Sequence, residues 1–412
     1  MKRYFATLAI LILLLGCSPI PDQEISPTVT TPVTETSVPT TLPFINPTTT
    51  PTTEPTTEPT TEPTTAPTTE TTTPPTDPPT PAELILSHMT TEEKVGQLFL
   101  ARCPDINATV DAAAYSLGGY ILFGRDFEYK TYEEVCNDIA SYQAASKIPM
   151  LIAVDEEGGI VCRVSSEPQF RENRFRSPRR LFEEGGLELI LSTEAEKIEL
   201  LQSFGINVNV APVCDVTTDP EAFMYSRSLG ESPEVTGQFI ASVVELMNQH
   251  RFGGVLKHFP GYGNNTDTHI GIAVDNRTLE ELEAVDLVPF AAGIQAGAGA
   301  IMISHTFVNC LDEALPASLS PVVIGYLRSE LGFDGVVVTD DLVMEAITDL
   351  YGAGESAVLA VLAGNDLLCS SEYQIQYLAV LEAVQTGRIP MDLLDRAVLR
   401  VLTWKDSLGL LS

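Results

Sequence analysis

Eight short apolar runs, separated by amphipathic stretches, restrict the fold of this chain more than any other feature. The runs lie at residues 96–101, 119–123, 150–154, 206–211, 254–256, 300–303, 335–338 and 366–368. Five intervening stretches are long enough for a crossover helix, at residues 131–144, 193–203, 232–249, 279–296 and 321–331. Near-continuous apolar strands are typical of a parallel sheet covered by helices. Eight such units predict a (β/α)8 TIM-type barrel, with a doubly wound open sheet as the alternative.

Two helix starts are recognisable from the spacing of threonine and glutamate. Thr90 is followed three residues later by Glu93, and Thr278 by Glu281. In this capping-box spacing, each side chain accepts a hydrogen bond from the backbone N–H of the other residue. Helices are therefore predicted to begin directly after Thr90 and Thr278.

Polar residues follow five of the apolar runs within four residues. They are Asp155 after the third run, Asp215 after the fourth, Lys257 and His258 after the fifth, Ser304 and His305 after the sixth, and Asp340 and Asp341 after the seventh. Active sites of (β/α)8 barrels form at the C-terminal ends of the strands. These side chains are therefore predicted to meet at one face of the barrel.

Residues 257–269 form a dense group of polar side chains. The stretch holds Lys257, His258, Asp267 and His269, and glycines and a proline separate them. Glycine and proline at this frequency indicate a loop that presents polar groups. A histidine loop together with a strand-end carboxylate such as Asp340 suggests an acid/base residue and a nucleophile.

Residues 1–17 have the pattern of a lipoprotein signal peptide. Two basic residues precede an apolar run at residues 4–15, which is shorter than the ~20 residues of a membrane span but suits a signal-peptide core. The run ends at Gly16-Cys17, which resembles the lipobox of bacterial lipoproteins. That resemblance implies cleavage before Cys17, lipidation of Cys17 and an extracytoplasmic protein anchored to the bacterial cell membrane. An ordinary secreted protein with an incidental Cys17 is the alternative.

Residues 18–81 are dominated by threonine and proline. They contain almost no aliphatic or aromatic side chains that could be buried, so they cannot offset the entropy lost on ordering the backbone. A disordered, rather stiff linker is predicted. Proline-rich chain extends by ~3.1 Å per residue, so this linker could hold a domain on the order of 100 Å or more from a membrane.

Residues 82–412 have the composition of a globular domain. The whole chain has 56 acidic and 23 basic residues, a formal net charge of -33, which argues against nucleic acid as a partner. Apart from Cys17 there are six cysteines, which show neither a CxxC pair nor zinc-finger spacing. Free buried thiols are slightly favoured over disulfides.

Four segments together resemble a known enzyme family. They are residues 257–269, Ile152-Ala153-Val154-Asp155-Glu156-Glu157-Gly158-Gly159, Ser226-Arg227-Ser228-Leu229-Gly230 and Val338-Thr339-Asp340-Asp341-Leu342-Val343-Met344. In this order they look like glycoside hydrolase family three, in its β-N-acetylglucosaminidase branch, and the likeness extends over residues 84–410. It implies a retaining exo-hydrolase that removes a terminal β-linked N-acetylhexosamine with a barrel domain alone.

The resemblance also implies roles for individual residues. Asp340 matches the nucleophile, because retention through a covalent intermediate needs a carboxylate on one face of the anomeric carbon. His269 matches the proton donor, and Asp267 matches the carboxylate that orients it. Asp341 is expected to bond the backbone or cap a helix, since adjacent residues leaving a strand point in opposite directions.

The resemblance assigns five further residues to binding of the terminal sugar. They are Asp155, Arg163, Arg227, Lys257 and His258. For Arg163 and His258 above all, an ion pair that merely ties strands together is the alternative. The chain departs from the branch at Tyr262, where histidine is usual, at Ile160, where arginine is usual, and in having three residues instead of four before Asp267.

No metal or other cofactor is expected, because the two loop histidines lie eleven residues apart without a ligand motif. Three other functions are open: a phosphorylase that releases sugar 1-phosphate, another β-glycosidase of the family, and a surface lipoprotein that only binds glycans. The expected partners are an oligosaccharide substrate, from cell-wall or chitin-type material, and the membrane through Cys17.

Overall fold

The computed structural model of the protein describes residues 78–263 and 273–411. The strands are β1 (Phe99–Arg102), β2 (Gly119–Leu122), β3 (Leu151–Val154), β4 (Val208–Asn209), β5 (Gly253–Phe259), β6 (Val274–Asp275), β7 (Ala300–Ile303), β8 (Phe307–Val308), β9 (Val336–Thr339) and β10 (Leu368–Ser370). The helices are α1 (Pro81–His88), α2 (Thr91–Gln97), α3 (Ala108–Tyr115), α4 (Tyr132–Ala145), α5 (Pro178–Ser203), α6 (Pro233–Gln249), α7 (Leu279–Ala284), α8 (Leu287–Gln295), α9 (Pro321–Ser329), α10 (Glu345–Tyr351), α11 (Ala353–Ala363), α12 (Tyr373–Gln385) and α13 (Met391–Ser407).

Eight parallel strands form one sheet in the order β10-β1-β2-β3-β4-β5-β7-β9. The two end strands meet through a parallel bridge between Val338 and Leu367, where the Thr339 N–H donates to the Leu367 carbonyl at 3.0 Å. The sheet is therefore closed, which confirms the (β/α)8 barrel and excludes the open sheet. The short strands β6 and β8 pair separately beyond β5 and β7.

Each predicted apolar run overlaps one barrel strand, but the start of the first strand and the end of the fifth were wrong. The first run was placed too early, because Gly96 and Gln97 form the end of α2, where Gly96 packs against the backbone of Tyr115 and Ser116. The fifth strand is longer than predicted, so Lys257 and His258 lie inside β5 and not after it. Because these two side chains are polar, the apolar pattern of the sequence ends before the strand does.

The predicted helix starts are confirmed, whereas one predicted helix is divided. Thr90 and Thr278 both form complete capping boxes with Glu93 and Glu281. The stretch at 279–296 is two helices, α7 and α8, because the backbone leaves the helical region at Val285. The stretch at 193–203 is the end of the longer helix α5.

Two apolar cores hold the barrel together. One lies inside the barrel and contains inward-facing strand residues such as Leu100, Val255 and Val338, together with Trp404 from α13. Gly253 and Gly299 leave room for Trp404, since a Cβ on either would come within 3.0 Å of the indole. The larger core lies between the strands and the surrounding helices. Helices therefore cover the outside of the barrel, and α13 helps to fill its interior.

The six cysteines of the described residues are free thiols, as expected, and four of them are buried. Within residues 78–263 and 273–411 no helix is both long and apolar enough to cross a membrane. Cys17, the segment 1–17 and the linker up to residue 77 lie outside the described residues.

Candidate active site

The structure brings six of the predicted site residues together around one cavity of about 450 Å³. They are Asp155, Arg163, Arg227, Lys257, His258 and Asp340. The cavity lies at the C-terminal ends of the barrel strands, where the sequence predicted a site. A wider groove of about 980 Å³ beside α5 contains none of these residues.

Lys257 is the centre of a buried ion-pair network. Its Nζ lies 2.7 Å from Asp155 Oδ1 and 2.7 Å from Glu157 Oε1. Glu157 also accepts two hydrogen bonds from Arg227, from Nη2 at 2.7 Å and from Nε at 3.0 Å. The network joins the loop after β3, the loop before α6 and β5, so it fixes three elements around the cavity.

Glu157 and Lys257 both stay charged at neutral pH. Burial by itself would raise the pKa of Glu157, but Lys257 and Arg227 outweigh burial and hold that pKa well below its usual range. Burial likewise would lower the pKa of Lys257, whereas Asp155 and Glu157 raise it above its ordinary value. The cavity wall is therefore a fixed array of charges, suited to strong hydrogen bonds with hydroxyl groups.

His258 has one protonation pattern that satisfies both of its neighbours. Nδ1 lies 2.8 Å from Asp215 Oδ2, and Nε2 lies 3.2 Å from Arg227 Nη2. A guanidinium group can only donate, so Nε2 must accept and Nδ1 must carry the proton that Asp215 accepts. Burial by itself would raise the pKa of Asp215, but His258, the Tyr262 N–H and Arg227 together outweigh burial and leave this pKa below its ordinary value.

An irregularity in β5 lets two consecutive residues face the cavity. The register between β5 and β7 shifts between Leu256 and Phe259, so the strict alternation of faces is interrupted at Lys257 and His258. Both side chains line the cavity as a result. His258 thus has two functions: it reaches the site and also ties β5 to the loop after β4 through Asp215.

The two acids after β9 have different surroundings. Asp341 Oδ1 accepts hydrogen bonds from the backbone N–H groups of Val343 and Ser371, and its Oδ2 accepts one from the Ser371 hydroxyl at 2.5 Å. These bonds confirm the prediction that Asp341 binds backbone. Asp340 lines the cavity, and its Oδ1 accepts from the Asp341 N–H at 2.9 Å. Burial raises the pKa of Asp341.

Arg163 reaches the cavity because Glu156 organises the turn before α5. The buried Glu156 carboxylate accepts the backbone N–H groups of Arg163 and Val164, each at 2.8 Å, and that of Ser165 at 3.3 Å. The Arg163 guanidinium lies 3.6 Å from Asp155, longer than a hydrogen bond, so it forms a loose ion pair.

His305 is buried behind the site and does not line the cavity. Its Nδ1 bonds the Ser318 hydroxyl at 2.7 Å, and its Nε2 bonds the Asp341 carbonyl at 3.0 Å. It holds the strand-end acids in position from behind, as a supporting residue.

Asp267 and His269 lie outside the described residues, but the chain on both sides of residues 264–272 is described. Gly261 and Gly263 adopt positive φ angles of 123° and 54° and pack against the side chains of Asp286 and Arg277. On the far side, Arg277 Nη2 lies 2.6 Å from Asp275 Oδ2, and its Nη1 lies 2.5 Å from Asp286 Oδ2. Burial raises the pKa of Asp286 to about 6 despite Arg277.

Two positions that depart from the family pattern have clear surroundings. Tyr262 is buried, and its ring meets that of His258 edge to face with centroids 5.1 Å apart. Its backbone N–H donates to Asp215 at 2.8 Å. Ile160 is 64% exposed at the surface. Tyr262 therefore supports His258 from behind.

Four polar or aromatic residues at the site had no role assigned from the sequence. They are Glu157, Asp215, Arg102 and Phe123. Glu157 lies in the same motif as Asp155, and Asp215 follows the fourth apolar run, so both carried a signal. Arg102 at the end of β1 and Phe123 after β2 had only their strand-end positions as a signal.

Comparison with known families gives one match over most of the domain. Residues 90–404 match the Glycosyl hydrolase family 3 N terminal domain. Among characterised sequences, the chain is 30% identical over 329 residues to Beta-hexosaminidase LpqI of Mycobacterium tuberculosis, covering 77% of this chain and 83% of that protein. It is 37% identical over 270 residues to Beta-hexosaminidase of Stenotrophomonas maltophilia, covering 62% of this chain and 77% of that protein.

Solved structures agree with the sequence comparison. A glycoside hydrolase family 3 beta-N-acetylglucosaminidase from Paenibacillus sp. superposes with a TM-score of 0.72 at 34% identity, covering 78% of this chain and 63% of that one. The M. tuberculosis LpqI structure superposes with a TM-score of 0.71 at 29% identity, covering 79% of this chain and 96% of that one. The similarity therefore extends across the barrel and the site described above.

Proposed function

The chain belongs to glycoside hydrolase family 3, and we propose that it is a retaining, exo-acting β-N-acetylhexosaminidase that releases terminal β-linked N-acetylglucosamine. The observation that carries this proposal is the single cavity that the Lys257 network and Asp340 both line. Relatives named beta-hexosaminidase and beta-N-acetylglucosaminidase support the same substrate class.

Asp340 is proposed as the nucleophile. Its carboxylate attacks the anomeric carbon of the terminal sugar, the bond to the glycosidic oxygen breaks, and that oxygen takes a proton from His269. In the second step a water molecule gives a proton to His269 and attacks the anomeric carbon, which releases Asp340. Two inversions at the same carbon leave the β configuration unchanged.

Asp267 and His269 are proposed as the acid/base pair. An imidazole has an unperturbed pKa near ~6.5, so it can give and take a proton near neutral pH. The clustered contacts of Gly261, Gly263, Arg277 and Asp286 support this role, because they anchor the chain on both sides of the segment that carries the pair.

Asp155, Arg163, Arg227, Lys257 and His258 are proposed to bind the hydroxyl groups of the terminal sugar. Their mutual ion pairs hold the side chains in place before substrate arrives, so little conformational entropy is lost on binding. The cavity of about 450 Å³ lies at the small end of the ~300–1,000 Å³ range of ligand pockets, which supports binding of a single terminal sugar.

For the cellular setting, we propose a protein lipidated at Cys17 and held outside the cytoplasm by the linker at residues 18–81. Its substrates would be cell-wall or chitin-type oligosaccharides. A Cys17→Ala variant tests the anchor: cells grown with a labelled fatty acid are expected to label the wild-type protein and not the variant. A wild-type protein without label contradicts the anchor.

The activity is tested with the purified protein and 4-nitrophenyl N-acetyl-β-glucosaminide. The wild-type protein is expected to release nitrophenol and a β-configured sugar at the same rate with and without phosphate, whereas a phosphorylase would yield sugar 1-phosphate. Asp340→Ala should abolish release. Asp349→Ala, at an exposed aspartate of α10, is the control and should leave the rate unchanged. Inactivity of the wild-type protein on every N-acetylhexosaminide would refute the proposal.

A further inference from the structure

Arg102 lies at the C-terminal end of β1 and lines the same cavity as Asp155 and Asp340. Its guanidinium carbon lies 4.5 Å from the centroid of the Phe123 ring. The guanidinium carbon of Arg163 lies 5.5 Å from the same centroid. The two arginines thus share one side of the cavity, with an aromatic ring as their common support.

Arg102 differs from the other cations of the cavity in its partners. Lys257 pairs with Asp155 and Glu157, Arg227 pairs with Glu157, and Arg163 lies 3.6 Å from Asp155. Within residues 78–263 and 273–411, Arg102 forms no ion pair with a carboxylate. The protein has 56 acidic residues. An arginine that lines the cavity and pairs with none of their carboxylates therefore requires an explanation.

Two buried donors on these arginines also lack an acceptor. The Nε atoms of Arg102 and Arg163 are both buried, and neither has a hydrogen-bond partner among the described residues. A buried, unsatisfied N–H of a charged group costs more than ~1 kcal/mol, so such groups are uncommon in folded proteins. The two guanidinium groups are therefore not fully satisfied by acceptors among the described residues, and a ligand in the cavity would bond their terminal NH2 groups.

We propose that Arg102, with Arg163, forms a subsite for an acidic group on the terminal sugar. This inference rests on the proposed function and specifies its substrate class: an N-acetylhexosamine that carries a carboxylate or a phosphate ester. The guanidinium of arginine matches the geometry of both anions through paired N–H donors. The acidic group belongs to the terminal sugar because Arg163 also contacts Asp155, a proposed hydroxyl-binding residue.

The experiment compares 4-nitrophenyl β-glycosides of three sugars with the full-length protein: N-acetylglucosamine, N-acetylmuramic acid and N-acetylglucosamine 6-phosphate. The wild-type protein is expected to cleave at least one acidic substrate with a higher kcat/KM than the neutral one. The identity of that substrate distinguishes a carboxylate from a phosphate ester. The preference should fall as ionic strength rises, because salt screens the attraction.

Arg102→Met should reduce the acidic-to-neutral ratio of kcat/KM by about tenfold or more, since a charge-assisted hydrogen bond is lost. Arg102→Lys should keep part of the preference, because it retains the charge and loses the paired donors. Arg125→Met is the matched control: Arg125 pairs with Asp105 outside the cavity and should leave the ratio unchanged.

Two results would overturn the subsite. One is a wild-type protein that prefers the neutral substrate at every ionic strength. The other is an Arg102→Met variant whose kcat/KM falls by the same factor on all three substrates, which would make Arg102 a general charge-balancing residue. If Arg102→Met does not fold, the wild-type preference and the Arg102→Lys ratio decide the question. Loss of the subsite leaves activity on the neutral substrate, whereas failure of the proposed function removes activity on all three.

Discussion

The Lys257 ammonium and the Glu157 carboxylate lie 2.7 Å apart in the wall of the cavity, with 3% and 2% of their side chains exposed. Each charge has been removed from water, so removal of one partner would leave the other buried and uncompensated, which is strongly unfavourable. The pair therefore couples the stability of the barrel to the integrity of its site.

Glu157→Gln is expected to destabilise the protein by about 3–5 kcal/mol, because Lys257 and Arg227 lose a buried counter-charge and the Arg227 Nε–H would face an NH2 group. Its KM should rise as well, since both cations lose their fixed positions. Urea unfolding and steady-state kinetics measure the two effects. Glu196→Gln is the control, because the exposed pair of Glu196 with Arg171 is worth at most about 1 kcal/mol. A stability within about 1 kcal/mol of wild type would contradict the role of Glu157.

Asp215→Asn is expected to lower kcat/KM by about tenfold or more through His258. Asp215 accepts the backbone N–H and the ring Nδ1–H of His258 on one oxygen and the Tyr262 N–H on the other. An asparagine has one acceptor oxygen, so one of these donors would face an NH2 group.

For Asp215 the folded pKa is lowered, so its contribution to stability is present above the unfolded pKa of 3.8 and is lost as pH falls through the lower folded value. Acid unfolding of wild type and Asp215→Asn measures this difference. Curves that run parallel down to pH 3 would show that Asp215 contributes nothing through its charge.

Gly261→Ala is expected to destabilise the protein by about 1–3 kcal/mol. Its φ of 123° disfavours any side chain, and an added Cβ would lie 2.6 Å from the Cβ of Asp286. The rate on substrates with poor leaving groups should fall more than the rate on activated substrates, because poor leaving groups depend on proton donation by His269. Gly325→Ala is the control and should slightly increase the free energy of unfolding. This glycine lies in α9 with open space around it, and alanine favours helices more than glycine does. Equal loss on all leaving groups would separate Gly261 from proton donation.

Lys405→Met is expected to stabilise the protein most at acid and neutral pH. The Lys405 ammonium is buried with Gln97 Oε1 at 2.7 Å, and burial lowers its pKa from 10.5 to about 7. Below pH 7 both the folded and unfolded states hold the proton, so the full penalty is present there. Between about 7 and 10.5 the penalty falls as pH rises, by up to about 1.4 kcal/mol per pH unit.

Differential unfolding of wild type and Lys405→Met between pH 6 and 9 measures this effect. The advantage of the variant should shrink as pH rises. Lys147→Met, at a lysine whose side chain is 70% exposed, should show no such trend. A constant difference across the range would show that Lys405 does not titrate near neutral pH.

The barrel was predictable because most of its strands are apolar on both faces, and that pattern is local in the sequence. The ends of β5 and the break between α7 and α8 were not predictable. In β5 the polar residues Lys257 and His258 interrupt the apolar pattern, and their burial depends on partners more than forty residues away. At Val285 the break depends on tertiary structure, where Asp286 pairs with Arg277.

The site residues were predicted from motifs, whereas their partnerships required the structure. Asp155 and Lys257 are 102 residues apart, and no local pattern shows that they meet. Arg102 could not be distinguished from a surface arginine in the sequence. What sets it apart is that it lines the cavity without pairing with a carboxylate of the described residues, and only the structure shows this. The placement of Asp267 and His269 stays a prediction.

The position of Trp404 inside the barrel has a consequence for the order of folding during synthesis. Trp404 belongs to the helix that follows all eight barrel strands in the chain, and it packs where Gly253 and Gly299 leave room. A nascent chain that has emerged only as far as β10 has every strand but lacks Val401 and Trp404, the part of the interior core that α13 supplies. Completion of the core therefore waits for α13, and until then the emerging chain exposes apolar strands to chaperones and to other nascent chains.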